Sequence, residues 1–309
     1  MASRPAAAET DLERPLVSVV IAAYDIAEYL PDAIDSALAQ TYPNVEVVVV
    51  NDGSTDDTAA ILERYGDRIV TVTQENRGLA SARNSGIRAA RGELIGLLDG
   101  DDLWLPERLT KLVPVLEARP DLGMVTSDSF MMDETVATTR HLYREQRKRP
   151  FPESEDLQIA EIACYNFMFV SVVFRRELVD RFGMFTDGMR RAEDYELWTR
   201  YLIGGTRAGF VDEPLGYYRI RAGSLSRTGE QAAAHQAVLQ QYLPQLWKLG
   251  ARGNARDSYE IGTRLAAAGD RRAALPFFVH SLTGEGARVS RLKYAASSLR
   301  RLVWPTGAA

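Results

Sequence analysis

Residues 16–52 read LVSVVIAAYDIAEYLPDAIDSALAQTYPNVEVVVVND, and this stretch decides the fold class. Two β-branched runs, 16–24 and 45–52, are apolar on both faces and flank a segment of helical periodicity near 28–39. Strands of that kind are covered on both sides, the condition of a parallel sheet clothed by helices. Parallel neighbours need a crossover between them, and a helix supplies it in the right-handed sense. The pattern then repeats. ELIGLLD (93–99) is a third buried strand, and helices are expected near 56–65, 79–90 and 106–118. Ser54 or Thr55 would cap the second helix, Gly92 would stop the third, and Pro106 suits the start of the fourth.

Beyond residue 120 the pattern is less regular. Strands are expected at 123–130 and 168–174 (MFVSVVF), with a helix from about 193 to 204. Residues 133–156, which include RKRPFPESED, are polar and charged and are expected to form a mobile loop. From about 230 the composition turns to Ala, Leu, Gln and Arg in a helical pattern. The expected organisation is a polar lead over 1–15, an α/β domain over 16–228 and a helical region over 229–309. Within the last, 259–282 resembles one tetratricopeptide-like helix pair; a single copy cannot stack into a solenoid, so it is expected to be an appendage.

Composition sets the outer bounds. Of 309 residues, 46% are hydrophobic and 26% charged, as in a globular chain able to bury a sizeable core. A net charge of −5 argues against a protein that coats nucleic acid. The single cysteine, Cys164, excludes an intramolecular disulfide and a multi-cysteine zinc site. Three histidines, at 141, 235 and 280, leave little material for a histidine cage, whereas a metal site built on carboxylates stays open. No apolar run approaches the roughly 20 residues of a membrane span, and the N-terminus lacks an apolar signal core. The expectation is a cytoplasmic protein, with a place at the inner face of the membrane left open.

In an open α/β sheet, ligands gather outside the carboxyl ends of the strands. Here those ends read Ala23-Tyr24-Asp25, Asn51-Asp52-Gly53-Ser54 and Asp99-Gly100-Asp101-Asp102, so an aromatic ring and several carboxylates converge on one edge. NDGST is good turn chemistry, and Asp52 alone reads equally as a turn residue or a ligand. The 99–102 turn is harder to dismiss. Two carboxylates about 5 Å apart repel by roughly 3 kcal/mol at an effective dielectric near 20, and a divalent cation is the economical relief. Asp102 has a second reading, as a cap or first-turn residue for the helix after Pro106. The dinucleotide fingerprint, the phosphate-binding P-loop, HExxH and GxSxG are all absent from the sequence.

Four ordered blocks carry a resemblance: 17–58 (VSVVIAAYDIAEYLPDAIDSALAQTYPNVEVVVVNDGSTDDT), 75–87 (ENRGLASARNSGI), 90–102 (ARGELIGLLDGDD) and 183–201 (GMFTDGMRRAEDYELWTRY). Together they resemble the family-2 glycosyltransferases, inverting enzymes of the GT-A nucleotide-sugar fold, over about 16–225. The resemblance implies a Rossmann-like, mostly parallel sheet flanked by helices, with a C-terminal helical appendage. It implies that Ala23 and Tyr24 line a nucleobase site, that Asp52 hydrogen-bonds the base, and that Arg83 lies near the nucleotide. Asp99 would contact the ribose or sugar, and Asp101, with Asp99 beside it, would ligate Mg²⁺ or Mn²⁺ on the diphosphate. Asp194 would be the catalytic base and Glu193 its substrate-side neighbour, while Arg219 or Arg221 would neutralise phosphate. For the arginines, a pair of solvated side chains on a strand is an equal alternative. The expected partners are a nucleoside diphosphate sugar, with uridine favoured, and a glycan or lipid-linked acceptor; no nucleic acid is expected. The implied role is transfer of one hexosyl or N-acetylhexosaminyl unit in polysaccharide or glycoconjugate synthesis. This sequence departs from the family's pattern at Ala23 and Asp25, where proline and asparagine are common, and it lacks the Q-x-x-R-W motif of the processive synthases.

Two other readings compete. A nucleotidyltransferase of related architecture would keep the nucleotide site, but the 183–201 block and the missing glycine-rich nucleotidyl loop count against it. A vestigial scaffold would not need intact Asp99, Asp101 and Asp194. The tail carries Arg288, Arg291, Lys293, Arg300 and Arg301 among Leu292, Leu299, Leu302, Val303 and Trp304. It reads either as a membrane-surface helix or as a helix packed on the catalytic domain with a basic outer face.

Overall fold

The structure, a computed structural model, describes residues 14–133, 136–147, 151–164, 166–168, 171–221, 229–248, 255–267 and 274–279. The basic tail, the boundary expected near 228 and most of the N-terminal lead lie outside the described residues.

The opening run folds as the sequence predicts. Strand β1 (Val17–Ala23) leads through α1 (Leu30–Leu38) to β2 (Val45–Asn51), and α2 (Thr58–Tyr65) leads to β3 (Val70–Thr73). Helix α3 (Leu79–Ala89) then returns the chain to β4 (Leu94–Asp99). Strand β1 pairs in parallel with both β2 and β4, and β2 with β3. Val17, Val19, Ile21, Val47 and Val49 sit in one continuous core with Ile34 of α1, Ile61 of α2 and Leu98 of β4. After β5 (Leu103–Trp104), α4 (Arg108–Ala118) adds Leu109, Leu112, Val113 and Leu116 to the same core.

Strand β6 (Leu122–Asp133), β7 (Val136–His141), β8 (Val173–Arg175) and β9 (Arg207–Ile220) complete a nine-stranded mixed sheet. Its order is β3-β2-β1-β4-β8-β6-β9-β5, with β7 paired to β6. Only β8, β5 and β7 run against their neighbours. Because β8 is antiparallel to both β4 and β6, the carboxyl ends of β6 and β9 lie on the same sheet edge as those of β1, β2 and β4. Gly96 and Val125 both pair with Val173, so β4 and β6 stand in register across β8.

Several local expectations need correction. The polar stretch 133–156 contains β7, α5 (Leu142–Arg147) and the start of α6 (Glu155–Cys164) rather than a loop throughout. Pairing with β6 decides it: Val136 to His141 is held by a neighbour that its own composition does not announce. The strand expected over 168–174 is confined to Val173–Arg175 among the described residues, and α7 (Glu177–Phe182) follows it. Ser54 and Thr55 do not cap α2, because both are engaged by Asp25; Asp56 instead accepts the Thr58 N–H at 3.0 Å. Helix α4 begins after Glu107, and Asp102 accepts the backbone N–H of Arg219 at 2.8 Å instead of capping it. Gly92 lies past the end of α3, where a Cβ would meet the Leu16 carbonyl oxygen at 2.5 Å and the Ser18 nitrogen at 2.7 Å. Glycine is there for the close approach of two backbones.

Arg108 was not anticipated. It is fully buried, and it donates to Ser127 Oγ at 2.9 Å and to the carbonyls of Leu215 and Ser171. Its guanidinium lies 5.0 Å from the Trp104 ring, and burial lowers its pKa to about 9. Trp104 is buried against Gly96 and serves packing.

By contacts the chain divides into two units. The first, Met1–Phe151, Met168–Leu197 and Thr206–Leu225, holds the sheet. The second comprises Pro152–Phe167, Trp198–Gly205 and Ser226–Ala309. In it α6 packs against α9 (Gly229–Lys248) and α10 (Ala255–Ala267). Tyr259 of α10 meets Phe278 of the helical stretch 274–279 edge-on at 5.8 Å, and Gly262 leaves room for the same ring. These helices realise the described part of the expected pair; 268–273 and 280–282 lie outside the described residues. No helix among the described residues is long and apolar enough to cross a membrane.

Replacing Gly92 by alanine forces β1 and the 90–92 segment apart. The expected result is a loss of about 1–3 kcal/mol, read as a lower urea midpoint with unchanged slope.

Candidate active site

The site is assembled at the carboxyl edge of the sheet, within the first unit. β4 delivers Asp99 and then turns through Gly100 and Asp101 to Asp102, closed by a 3.0 Å bond from the Asp102 N–H to the Asp99 carbonyl. Helix α3 lies behind this turn and presents Arg83. The Arg83 guanidinium is buried and bridges two acids: Nη2 donates to Asp99 Oδ1 at 2.6 Å and Nη1 to Glu193 Oε1 at 2.8 Å. Its face lies over the Phe185 ring at 5.4 Å. Burial alone would lower its pKa, but Asp99 and then Glu193 overcome this and raise it. Next to it, Asn84 exchanges hydrogen bonds with the backbone of Phe185, at 2.9 and 3.0 Å, and so ties α3 to the segment before Glu193.

Glu193 and Asp194 open α8 (Glu193–Ile203), whose residues 193–197 belong to the first unit. Successive helical residues point about 100° apart, so Glu193 turns inward to Arg83 while Asp194 keeps some solvent access. Recession of the Asp194 carboxyl and the negative charge of Glu193 push its pKa up to about 7, against the opposing pull of Arg83 and of the Tyr195 N–H at 2.7 Å. Ala192, just before the pair, has φ +56°, a left-handed conformation that a Cβ disfavours. Strain of this kind persists where the surroundings fix the backbone, and here it sets the entry angle of the acidic pair.

Arg219 and Arg221 face the other side of the acidic turn. The Arg219 Nε donates to the Asp101 carbonyl at 2.7 Å, and its Nη2 lies 3.5 Å from Asp32 Oδ2. Arg221 Nε donates to Asp101 Oδ2 at 2.6 Å. Both guanidinium groups lie over the Tyr29 ring, at 4.7 and 5.8 Å. Burial, then the charge of Asp99, raises the Asp101 pKa against the pull of Arg221. Asp102 is raised well above its ordinary range by burial and by Asp101 and Asp99.

The chemistry of this donor set fits a hard divalent cation. Two carboxylates crowd one turn, burial and then the Asp99 charge raise Asp101, and Asp99 keeps Oδ2 clear of Arg83; the side chains of Asp99 and Asp101 retain 24% and 22% exposure. Among the described residues no three His, Cys, Asp or Glu side chains are arranged to enclose a metal by themselves. Such ions commonly take one or two carboxylates and fill the remaining positions with phosphate and water.

The other predicted residues are more committed to the protein. Asp52 is buried, and its carboxylate accepts from Gln74 Nε2 at 2.7 Å, the Arg77 N–H at 3.0 Å and the Gly78 N–H at 2.9 Å. It organises the loop that enters α3. Ala23 is buried and meets Asp52 through its carbonyl, whereas Tyr24 is 47% exposed at the edge. Asp25, at φ +48°, fastens the edge to Thr55. Sequence reasoning missed the Asp128–His141 pair (2.8 Å) on β6 and β7, because a contact across 13 residues depends on a hairpin that the composition hides.

The family model described as glycosyl transferase family 2 matches residues 18–183. The succinoglycan biosynthesis protein ExoO of Rhizobium meliloti is 34% identical over 247 residues, which is 74% of this chain and 69% of that protein. Among solved structures, S. aureus TarS 1–349 in complex with UDP-GlcNAc aligns with a TM-score of 0.63 at 18% identity, covering 92% of this chain and 88% of that one. The mannosyltransferase PcManGT of Pyrobaculum calidifontis in complex with GDP-Man and Mn²⁺ aligns with a TM-score of 0.58 at 22% identity, covering 96% and 89%. These two likenesses concern the fold. Some relatives are longer: the matched region spans 59%, 58% and 31% of the length of three uncharacterized glycosyltransferases of Rickettsia.

A folded-state pKa near 7 for Asp194, above the ordinary aspartate value, means that ionising it destabilises the native state. Between about pH 4 and pH 7 the folded protein holds a proton that the unfolded chain releases, so this contribution weakens stability as pH rises. Asp194→Asn is therefore expected to be more stable than the parent above pH 7, by about 2–4 kcal/mol, and equal to it near pH 4. Urea unfolding at the two pH values checks it.

Proposed function

Because the chain belongs to glycosyl transferase family 2, we propose that it transfers one sugar, with inversion, from a nucleoside diphosphate sugar to a hydroxyl of a carbohydrate or lipid-linked acceptor in cell-surface polysaccharide synthesis. The observation that carries this is the single guanidinium of Arg83, which ties the acidic turn at Asp99 to the acidic pair at the start of α8. Donor-side and acceptor-side chemistry thus share one rigid frame.

In the proposed reaction Asp194, ionised, accepts the proton of the acceptor hydroxyl while that oxygen attacks the anomeric carbon. The bond from that carbon to the diphosphate oxygen breaks as the new one forms, so the configuration inverts. A carboxylate whose pKa lies near 7 is a stronger base than an ordinary aspartate and is still substantially ionised at neutral pH. Asp99 and Asp101 would hold Mg²⁺ or Mn²⁺, whose chemistry there is Lewis-acid neutralisation of the diphosphate oxygens. Arg219 and Arg221 add fixed positive charge on the same side, as preorganised partners for the leaving group. Tyr24 offers an exposed ring for the base, and Asp52 acts by holding the 74–78 loop. The TarS and PcManGT complexes support a nucleotide-linked donor, and the Mn²⁺ in the second supports a divalent ion. A uridine donor is the favoured reading.

Calorimetry with UDP, dTDP and GDP, each with Mn²⁺ and with chelator, tests the donor site. One nucleotide should bind in a metal-dependent way, and Asp101→Ala should weaken it at least tenfold, a loss of about 1.4 kcal/mol. Failure of all three to bind would overturn the reading. Asp194→Asn should keep nucleotide affinity and lose transfer by about 10²- to 10⁴-fold. Glu193→Gln removes a charge that raises Asp194, so the acidic limb of the pH–rate profile should move to lower pH.

A further inference from the structure

We propose that His141, Phe130 and Tyr217 form a subsite for a pyranose ring of the acceptor, with Asp128 as the positioning residue for the imidazole; this rests on the glycosyltransferase reading above. The three lie in one row across three strands. Phe130 of β6 pairs with His141 of β7 on one side and with Tyr217 of β9 on the other. Residues directly opposite one another share a face of the sheet, and the rings touch accordingly. His141 meets Phe130 edge-on at 5.3 Å, and Phe130 meets Tyr217 at 5.6 Å with the planes inclined by 34°. All three are half-buried, so the row is a ledge rather than core.

The histidine is held as a functional imidazole would be. Asp128 is fully buried, and its Oδ1 already accepts the backbone N–H groups of Ser129 at 2.7 Å and Tyr143 at 2.8 Å. Oδ2 is left to accept from His141 Nδ1, at 2.8 Å. That bond fixes the ring and places a proton on Nδ1, so Nε2 is the hydrogen-bonding nitrogen not committed to Asp128, on a side chain 26% exposed. A buried carboxylate spent on orienting a partly exposed imidazole is more than packing needs.

Position gives the ledge its occupant. Tyr217 and Arg219 are two residues apart on β9, so they project to one face about 7 Å apart. Arg219 is the residue that holds Asp101 and Asp102, so the row abuts the side of the site where the diphosphate would lie. Leu103, directly after Asp102, pairs with Tyr217 and closes the same corner. Apolar aromatic faces with one fixed hydrogen-bonding nitrogen suit a pyranose, which presents C–H groups on its ring face and hydroxyls, able to donate or accept, at its rim.

The test uses the full chain, the nucleotide sugar it accepts, and a panel of p-nitrophenyl glycosides as acceptor probes. With only three histidines in the sequence, ¹³C-histidine labelling gives a readable spectrum, assigned with His141→Phe. The His141 resonance should move when a glycoside probe is added. His141→Phe keeps an aromatic ring and loses the hydrogen-bonding nitrogen; it should raise acceptor KM about tenfold while donor KM stays within twofold. His141→Ala should raise acceptor KM further. An unchanged acceptor KM in both variants, or an equal rise in donor KM, would overturn the proposal. So would an unmoved wild-type resonance, which decides the matter even if a variant fails to fold. A wild-type protein that neither hydrolyses nor transfers from any nucleotide sugar overturns the parent reading instead, and is told apart by its missing nucleotide binding.

Discussion

One buried cation organises the catalytic edge. Arg83 has a carboxylate at each end of its guanidinium and is withdrawn from water, so neither acid can leave without exposing an unpaired charge in a low-dielectric setting. A third acid, Asp194, feels the same cation without a direct bond to it. Asp194 is recessed, and its burial, with the negative charge of Glu193 added, raises its proton affinity, so the poise of this carboxyl follows from its recession and from the acid beside it.

The backbone supplies the rest of the geometry through a few strained or crowded positions. Ala192 and Asp25 both adopt positive φ, and each stands at the mouth of an element that bears on the site. Asn84 fixes the chain before Ala192, and Thr55 and Ser54 fix Asp25, so the unfavourable conformations are held by neighbours rather than by their own preference. Asp52 does the same for the loop entering α3, through three hydrogen bonds to 74–78.

Much of this was legible in the sequence because it is local. Runs such as VVVVND and ELIGLLD, short, bounded by turn residues and, in the first, β-branched, read as doubly covered strands, and the acids at their ends then share an edge. The illegible parts are non-local. Val136 to His141 carries polar residues at most positions and becomes a strand only because β6 offers it a partner. Arg108 looks like a surface residue at the start of an amphipathic helix, yet it is buried under Trp104 and spends its donors on a serine and two carbonyls from distant segments. Asp52 reads equally as a turn residue or a ligand in NDGST, and the residues that hold its carboxylate, Gln74, Arg77 and Gly78, lie more than 20 positions further along the chain. Composition reports what a residue can do; the partner that takes its hydrogen bonds is set by chain crossings tens of residues away.

Arg219 and Arg221, laid over Tyr29, already hold Asp101 and Asp32. An anion arriving at that corner meets cations stripped of much of their hydration and resting on a ring face. It would exchange partners with the carboxylates instead of drawing two long, freely rotating side chains out of water. Little rotational freedom remains to be lost in that exchange, and little net charge is transferred. Discrimination at the corner would then fall to the spacing of donors on a stiff strand, and added salt would weaken it less than it weakens an open basic surface.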